Sequence, residues 1–140
     1  MEQLPIRKTA RLVVRDKNDH IYGFIRPLGS KSRAGDLDFS GGGVADNETP
    51  EAAALREFKE ETGFEISEPI TFHYGVSERD GDEWFTRYYY LSSERISPCD
   101  ITQLPEHIGM VCASKTTVLD LTDCQPHKAA IDCLEFTAVA

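Results

Sequence analysis

The sequence holds no run of about 18 consecutive apolar residues, so no segment of it is suited to cross a membrane as a helix. Basic residues are scarce: 15 Lys and Arg stand against 24 Asp and Glu, a formal net charge of −9. Such a surface repels phosphate backbones, so nucleic acid is not an expected partner, and a small polyanion needs cations between itself and the protein. Cysteine is sparse. Cys99, Cys112, Cys124 and Cys133 form no C-x-x-C pair, which argues against a structural zinc of the usual spacing. The first residues, Met1 to Lys8, lack the apolar stretch of a secretory signal, so the four cysteines read as reduced thiols of a cytoplasmic protein. No repeat, low-complexity tract or linker interrupts the chain, and its 140 residues are expected to form a single domain, 1–140.

Local patterns outline that domain. Arg11–Val14 and Ile21–Ile25 read as strands around a hairpin loop, Asp16–His20. Gly29–Gly35 reads as a longer loop, and Leu37–Phe39 as a short apolar-polar-apolar stretch running into Ser40-Gly41-Gly42-Gly43. Thr49 is placed to cap a helix, with Pro50 at its first position, strong helix formers from Glu51 to Thr62, and Gly63 at the left-handed end. Ile70–Val76 and Trp84–Leu91 read as strands around a polar turn, Glu78–Glu83. Met110–Ala113 reads as a further short strand, and Pro126–Phe136 as a closing helix. Strands and helices mix without regular β-α-β alternation, which predicts an α/β (α+β) fold, a mixed sheet sandwiched between helices.

On the central helix, Leu55 and Phe58 share one side, while Glu57, Glu60 and Glu61 fall on a neighbouring face. Like charges one turn apart cost about 0.2–0.5 kcal/mol per pair, a cost that a divalent cation reverses. A solvated acidic face, with Arg56 paired to Glu60, is the plainer reading of the same residues. The preceding glycines make neither a P-loop nor G-x-G-x-x-G, and Asp16–His20 fails as an EF-hand because Ile21 stands where its glycine belongs.

Taken at full length, the segment reads Gly42-x5-Glu48-x7-Arg56-Glu57-Phe58-x-Glu60-Glu61-x-Gly63-Phe64. This resembles the Nudix box, G-x5-E-x7-R-E-U-x-E-E-x-G-U, at all seven fixed positions; Phe58 and Phe64 stand where the family more often has Ile, Leu or Val. The resemblance implies a Nudix fold and hydrolysis of a nucleoside diphosphate linked to another group, with Mg²⁺ or Mn²⁺ as cofactor. It implies that Glu57, Glu60, Glu61 and the backbone at Gly42 hold metal, and that Arg56 orients Glu48 and Glu60. Metal between protein and substrate is also what a net charge of −9 and a polyphosphate require.

Outside the box the readings are looser. Glu106 or His107, on a loop before a predicted strand, is the expected general base, with Glu57 or Glu60 as alternatives. Arg26, Lys31 and Arg33 are candidate phosphate contacts or plain surface charge. Among Trp84, Phe85, Tyr88, Tyr89 and Tyr90, alternate members must face opposite sides. His20 and His127 have no partner at ligand spacing and read as surface or capping residues. The sub-signatures of ADP-ribose and coenzyme A hydrolases are absent. Among the substrates that the resemblance implies, a nucleoside triphosphate, modified or not, is placed first, ahead of dinucleoside polyphosphates and nucleotide sugars. A nucleotide-sensing module without turnover is the non-enzymatic alternative, and an RNA cap-removing enzyme is opposed by the charge. Many relatives are dimers, so a homodimer is an open expectation, although no apolar stripe in the sequence argues for one.

Overall fold

The structure, a computed structural model, describes residues 6–134. Its frame is a seven-stranded sheet in the order β3-β2-β1-β6-β5, with β4 added on β1 and β7 on β2. The strands are β1 (Ile6–Arg15), β2 (Ile21–Ile25), β3 (Leu37–Asp38), β4 (Ser40–Gly43), β5 (Ile70–Asp80), β6 (Glu83–Arg95) and β7 (Gly109–Ala113). β1 and β6 run parallel, while the other pairs are antiparallel. The three α-helices among the described residues are α1 (Pro50–Thr62), α2 (Lys115–Leu121) and α3 (Gln125–Asp132).

Alternation along β1 sorts the layers. Ala10, Leu12 and Val14 pack with Ala53, Ala54 and Phe58 of α1. Val13 points the other way, into a second core with Val118 of α2 and with Ala130, Ile131 and Leu134. Tyr89 and Tyr90 divide in the same manner, Tyr89 toward α3 and Tyr90 toward α1. The result is a mixed sheet between helices, the predicted α+β sandwich.

Several boundaries differ from the sequence reading, each for a visible reason. β1 begins at Ile6, five residues before Arg11, because a parallel ladder from Ile6↔Trp84 onward holds the backbone of Arg7, Lys8 and Thr9, polar residues that carry no apolar signal, before Ala10 enters the core. The expected polar turn Glu78–Glu83 narrows to Gly81–Asp82, since β5 and β6 continue as an exposed ribbon with pairs such as Glu78↔Phe85. The glycines Gly41–Gly43 form a strand rather than a loop, paired residue by residue with Thr9–Arg11. α2 was not anticipated; it has seven residues and buries only Val118, too little for a helical period to show. α3 ends at Asp132, and the last two residues expected in it, 135 and 136, lie outside the described residues.

The expectation for His127 is overturned. It is fully buried on α3, with Nε2 at 2.5 Å from Asp38 Oδ1 and Nδ1 at 2.5 Å from the Tyr89 hydroxyl. Burial pushes its pKa down to about 4, so the ring is neutral near pH 7. A neutral ring facing a carboxylate must donate from Nε2, which leaves Nδ1 to accept from Tyr89. His20 is exposed, as expected.

Phe58→Ala empties the α1 side of the core and is expected to cost about 3–5 kcal/mol in urea or guanidinium unfolding. Leu55 is only half-buried, so Leu55→Ala should cost about 2 kcal/mol or less. Equal losses at the two positions would contradict this packing.

Candidate active site

The ends of α1 hold its orientation. Thr49 Oγ1 accepts from the Ala52 N–H at 3.1 Å, Pro50 occupies the first turn, and Gly63, at φ 77°, donates to Lys59 O. Ala53, Ala54 and Phe58 then face the sheet, and the three carboxylates lie at three depths. The Glu60 side chain is 57% exposed, that of Glu57 16%, and Glu61 is buried at 3%. Helical spacing alone sets all three on one face beside the apolar side and does not separate their depths.

β4 meets Glu57 at close quarters. A Cβ at Gly42 would stand 2.7 Å from Glu57 Oε1, so only glycine allows the carboxylate to lie against this backbone. Arg56 ties the group together. It grips Glu48 with Nε (3.0 Å) and Nη2 (2.8 Å), donates to Glu57 at 3.1 Å and Glu60 at 3.3 Å, and reaches Gly43 O at 3.2 Å. Hydrogen bonds from Arg56 draw the Glu48 carboxyl down to about 2.

Beside these residues opens a cleft of about 250 Å³, lined in part by Arg11, Arg26, Asp38, Glu61, Glu106 and His107. Glu106 is exposed on its loop, and its charge helps raise the pKa of both Glu57 and Glu61. His107 is turned inward instead: burial lowers its pKa, its ring packs on Phe24, and Nδ1 is buried without a partner. Lys31 is exposed and outside the cleft lining, and Arg33 is committed to Asp36 at 2.7 Å.

Sequence reasoning missed Arg11 and Asp38. Asp38 gathers Arg11 (3.1 Å), Arg26 (3.1 Å), Arg33 (3.7 Å) and the His127 N–H. Burial alone would raise its pKa, but Arg11, His127 and Arg33 outweigh that and keep it well below the usual carboxylate range. The only sequence signal for Arg11 was a charge inside a strand whose neighbours Ala10 and Leu12 are apolar.

The donor set suits a hard divalent cation. Every candidate ligand is an oxygen, and Glu61 Oε2 is buried with no hydrogen-bond partner. Burial pushes the Glu61 carboxyl up to about 8. The Ser40 hydroxyl and Arg11 pull the other way, but Ser40 Oγ itself lacks a well-placed partner, so burial prevails. An orphaned carboxylate oxygen among Glu57 and the β4 glycines is what a bound cation would satisfy.

The family profile described as "NUDIX domain" matches residues 5–130, and the chain belongs to this family of hydrolases acting on phosphoric anhydride bonds. A Proteus vulgaris protein named 8-oxo-dGTP diphosphatase is 37% identical over 83 residues, 59% of this chain and 71% of that protein. Among solved structures, a MutT protein from Methanosarcina mazei Go1 is similar with a TM-score of 0.77 at 19% identity, covering 94% of each chain. A Caenorhabditis elegans Ap4A hydrolase complex gives a TM-score of 0.71 at 19% identity, covering 91% of this chain and 93% of that one. At these identities the structural likenesses show the fold.

With a folded pKa near 8 against about 4.5 when unfolded, Glu61 keeps a proton in the folded state that the unfolded chain releases. Its contribution to metal-free stability is therefore full below about pH 4.5, falls as pH rises through that window, and levels off above about 8. Glu61→Gln removes this dependence. The stability of the variant relative to the parent, from urea unfolding in chelator, should grow between about pH 5 and about pH 8 by a few kcal/mol. Parallel curves would show that Glu61 is not held in this protonation state.

Proposed function

We propose that this chain, as one Nudix domain, hydrolyses a nucleoside diphosphate linked to another group. A nucleoside triphosphate or modified triphosphate is the foremost substrate, giving a nucleoside monophosphate and the phosphorylated remainder. The observation that carries the reading is the buried, unpartnered Glu61 carboxylate set with Glu57 and Glu60 beside Gly42. A module that only sensed nucleotide would gain nothing from such a costly group. The name of the P. vulgaris relative supports a triphosphate substrate. The Ap4A hydrolase neighbour keeps dinucleoside polyphosphates second, with nucleotide sugars after them. A reducing, cytoplasmic setting belongs to the same reading and rests on four unpaired cysteines.

Mg²⁺ or Mn²⁺, held by Glu57, Glu60, Glu61 and the Gly42 backbone, would neutralise phosphate charge and polarise the phosphorus under attack. The remaining work falls to the chain. Arg56 holds Glu57 and Glu60 in place, while Arg11 and Arg26 set positive charge on the cleft wall where phosphate oxygens enter. The Glu106 carboxylate, exposed on the same cleft, takes the proton of the attacking water. His107 is the less available base, its ring packed on Phe24 and its Nδ1 buried.

Hydrolysis of nucleoside triphosphates should fall to background in excess chelator and return with Mg²⁺ or Mn²⁺, read as pyrophosphate release. An undiminished rate in chelator would sink the metal-dependent reading. Glu106→Gln should lower kcat by about 10²–10⁴ at unchanged Mn²⁺ affinity and remove the acid limb of the pH–rate profile. A near-parental rate would transfer the base to Glu57 or Glu60.

A further inference from the structure

A second group of ligand-bearing side chains converges away from the cleft, where the β1–β2 turn meets β7. We propose that Asp16, His20 and Cys112 form a zinc site, three protein ligands with a fourth position open to solvent. This inference is independent of the catalytic reading.

Two features of the fold bring the three together. The turn closes through Asp16 N–H to His20 O at 2.9 Å, which sets His20 back over Asp16. β7 pairs with β2 in a register that places Cys112 opposite Tyr22, next to that turn. The ligand atoms of all three residues lie within 4.8 Å of one another.

Asp16 is held ready for such a role. Its Oδ1 accepts from the Asn18 and His20 N–H groups at 2.8 and 2.9 Å, so the carboxylate cannot swing away. Its Oδ2 faces His20 Nδ1 at 3.6 Å and Cys112 Sγ at 3.5 Å. Tetrahedral zinc with bonds of about 2.0 Å to N or O and about 2.3 Å to S separates O from S by about 3.5 Å and O from N by about 3.3 Å. The two edges that meet at Asp16 therefore already have nearly the span zinc requires, and the exposed His20 ring can close the third by rotation.

The chemistry separates this site from the catalytic one. Nitrogen, oxygen and sulfur together select a borderline-soft ion, whereas the all-oxygen set on α1 selects Mg²⁺ or Mn²⁺. The backbone hydrogen bonds outweigh burial and lower the Asp16 pKa, so a carboxylate is on hand. Burial and Asp16 push the Cys112 thiol up to about 11, so without metal the Sγ–H donates to Asp16 Oδ2. On binding, that proton leaves to solvent and the cation takes its place between sulfur and oxygen. Asp16 also borders a cavity of about 350 Å³ with Lys17, Arg95, Ser97 and Pro98, from which water can supply the fourth ligand. None of the residues lining that cavity lines the catalytic cleft.

Zinc is spectroscopically silent, so Co²⁺ serves as the probe. Titrating the full chain with Co²⁺ under reducing conditions should give a near-ultraviolet thiolate-to-cobalt band that saturates at one equivalent and is bleached by Zn²⁺. Cys112→Ser should abolish it, and His20→Ala, at an exposed position, should weaken Co²⁺ binding at least tenfold. Single Ser substitutions of Cys99, Cys124 or Cys133 should leave it, as should Glu60→Gln, which addresses only the catalytic metals. No thiolate band in the parent chain, or a band that survives Cys112→Ser, overturns the site. If Cys112→Ser fails to fold by circular dichroism, undiminished Co²⁺ affinity in His20→Ala overturns it instead.

Discussion

The double pairing of β1 is the constraint from which the rest follows. One strand is hydrogen-bonded to β4 on part of its length and to β6 along nearly all of it, so its register sets the position of both neighbours. Ala10 opposite Gly42 brings the glycine backbone beside α1, because Ala10 itself packs under that helix with Ala54 and Phe58. Arg11, one residue on, must point to the other face, where it meets Asp38 and the cleft. A slip of one residue would bury the guanidinium under α1 and turn Ala10 toward the cleft.

Two charge networks flank the cleft, and magnitudes separate their roles. Arg56 and its glutamates are partly exposed, and such ion pairs are worth about 0–1 kcal/mol in stability. What Arg56 contributes is direction: one planar guanidinium holds three carboxylates and the Gly43 carbonyl in fixed relation. The Asp38 network lies on the other side of the balance. Its carboxylate is nearly sealed from water, and a buried charge stripped of partners costs about 3–5 kcal/mol. Tyr89, His127, Arg11 and Arg26 therefore stand or fall together, which links α3 to the wall of the cleft. Glu61 is the exception, buried beside like charges with one oxygen unsatisfied, and such exceptions gather at functional sites.

Much of this was legible in the amino-acid sequence because the causes are local. Helix α1 declares both its ends through Thr49, Pro50 and Gly63, and the structure keeps them to the residue. The Nudix box is legible for the same reason: a helix of known pitch converts the spacing of Glu57, Glu60 and Glu61 into neighbouring directions. Strands were found where apolar side chains write a pattern, at Ile21–Ile25 and Trp84–Leu91, and shortened where backbone pairing holds mostly polar, solvent-facing residues, at Arg7–Thr9.

The sequence by itself determined the class of fold, the family and the order of the acidic residues, since each depends on neighbours within a turn or a strand. Only the tertiary structure decided the depth of those residues, because whether Glu61 is solvated or sealed depends on how close the sheet stands to α1. It alone joined Asp38 to His127, 89 residues apart, and Asp16 to Cys112, 96 apart. No spacing rule reaches that far: a histidine without a partner in the sequence acquires one when strand register and helix packing carry a distant side chain to within about 3 Å.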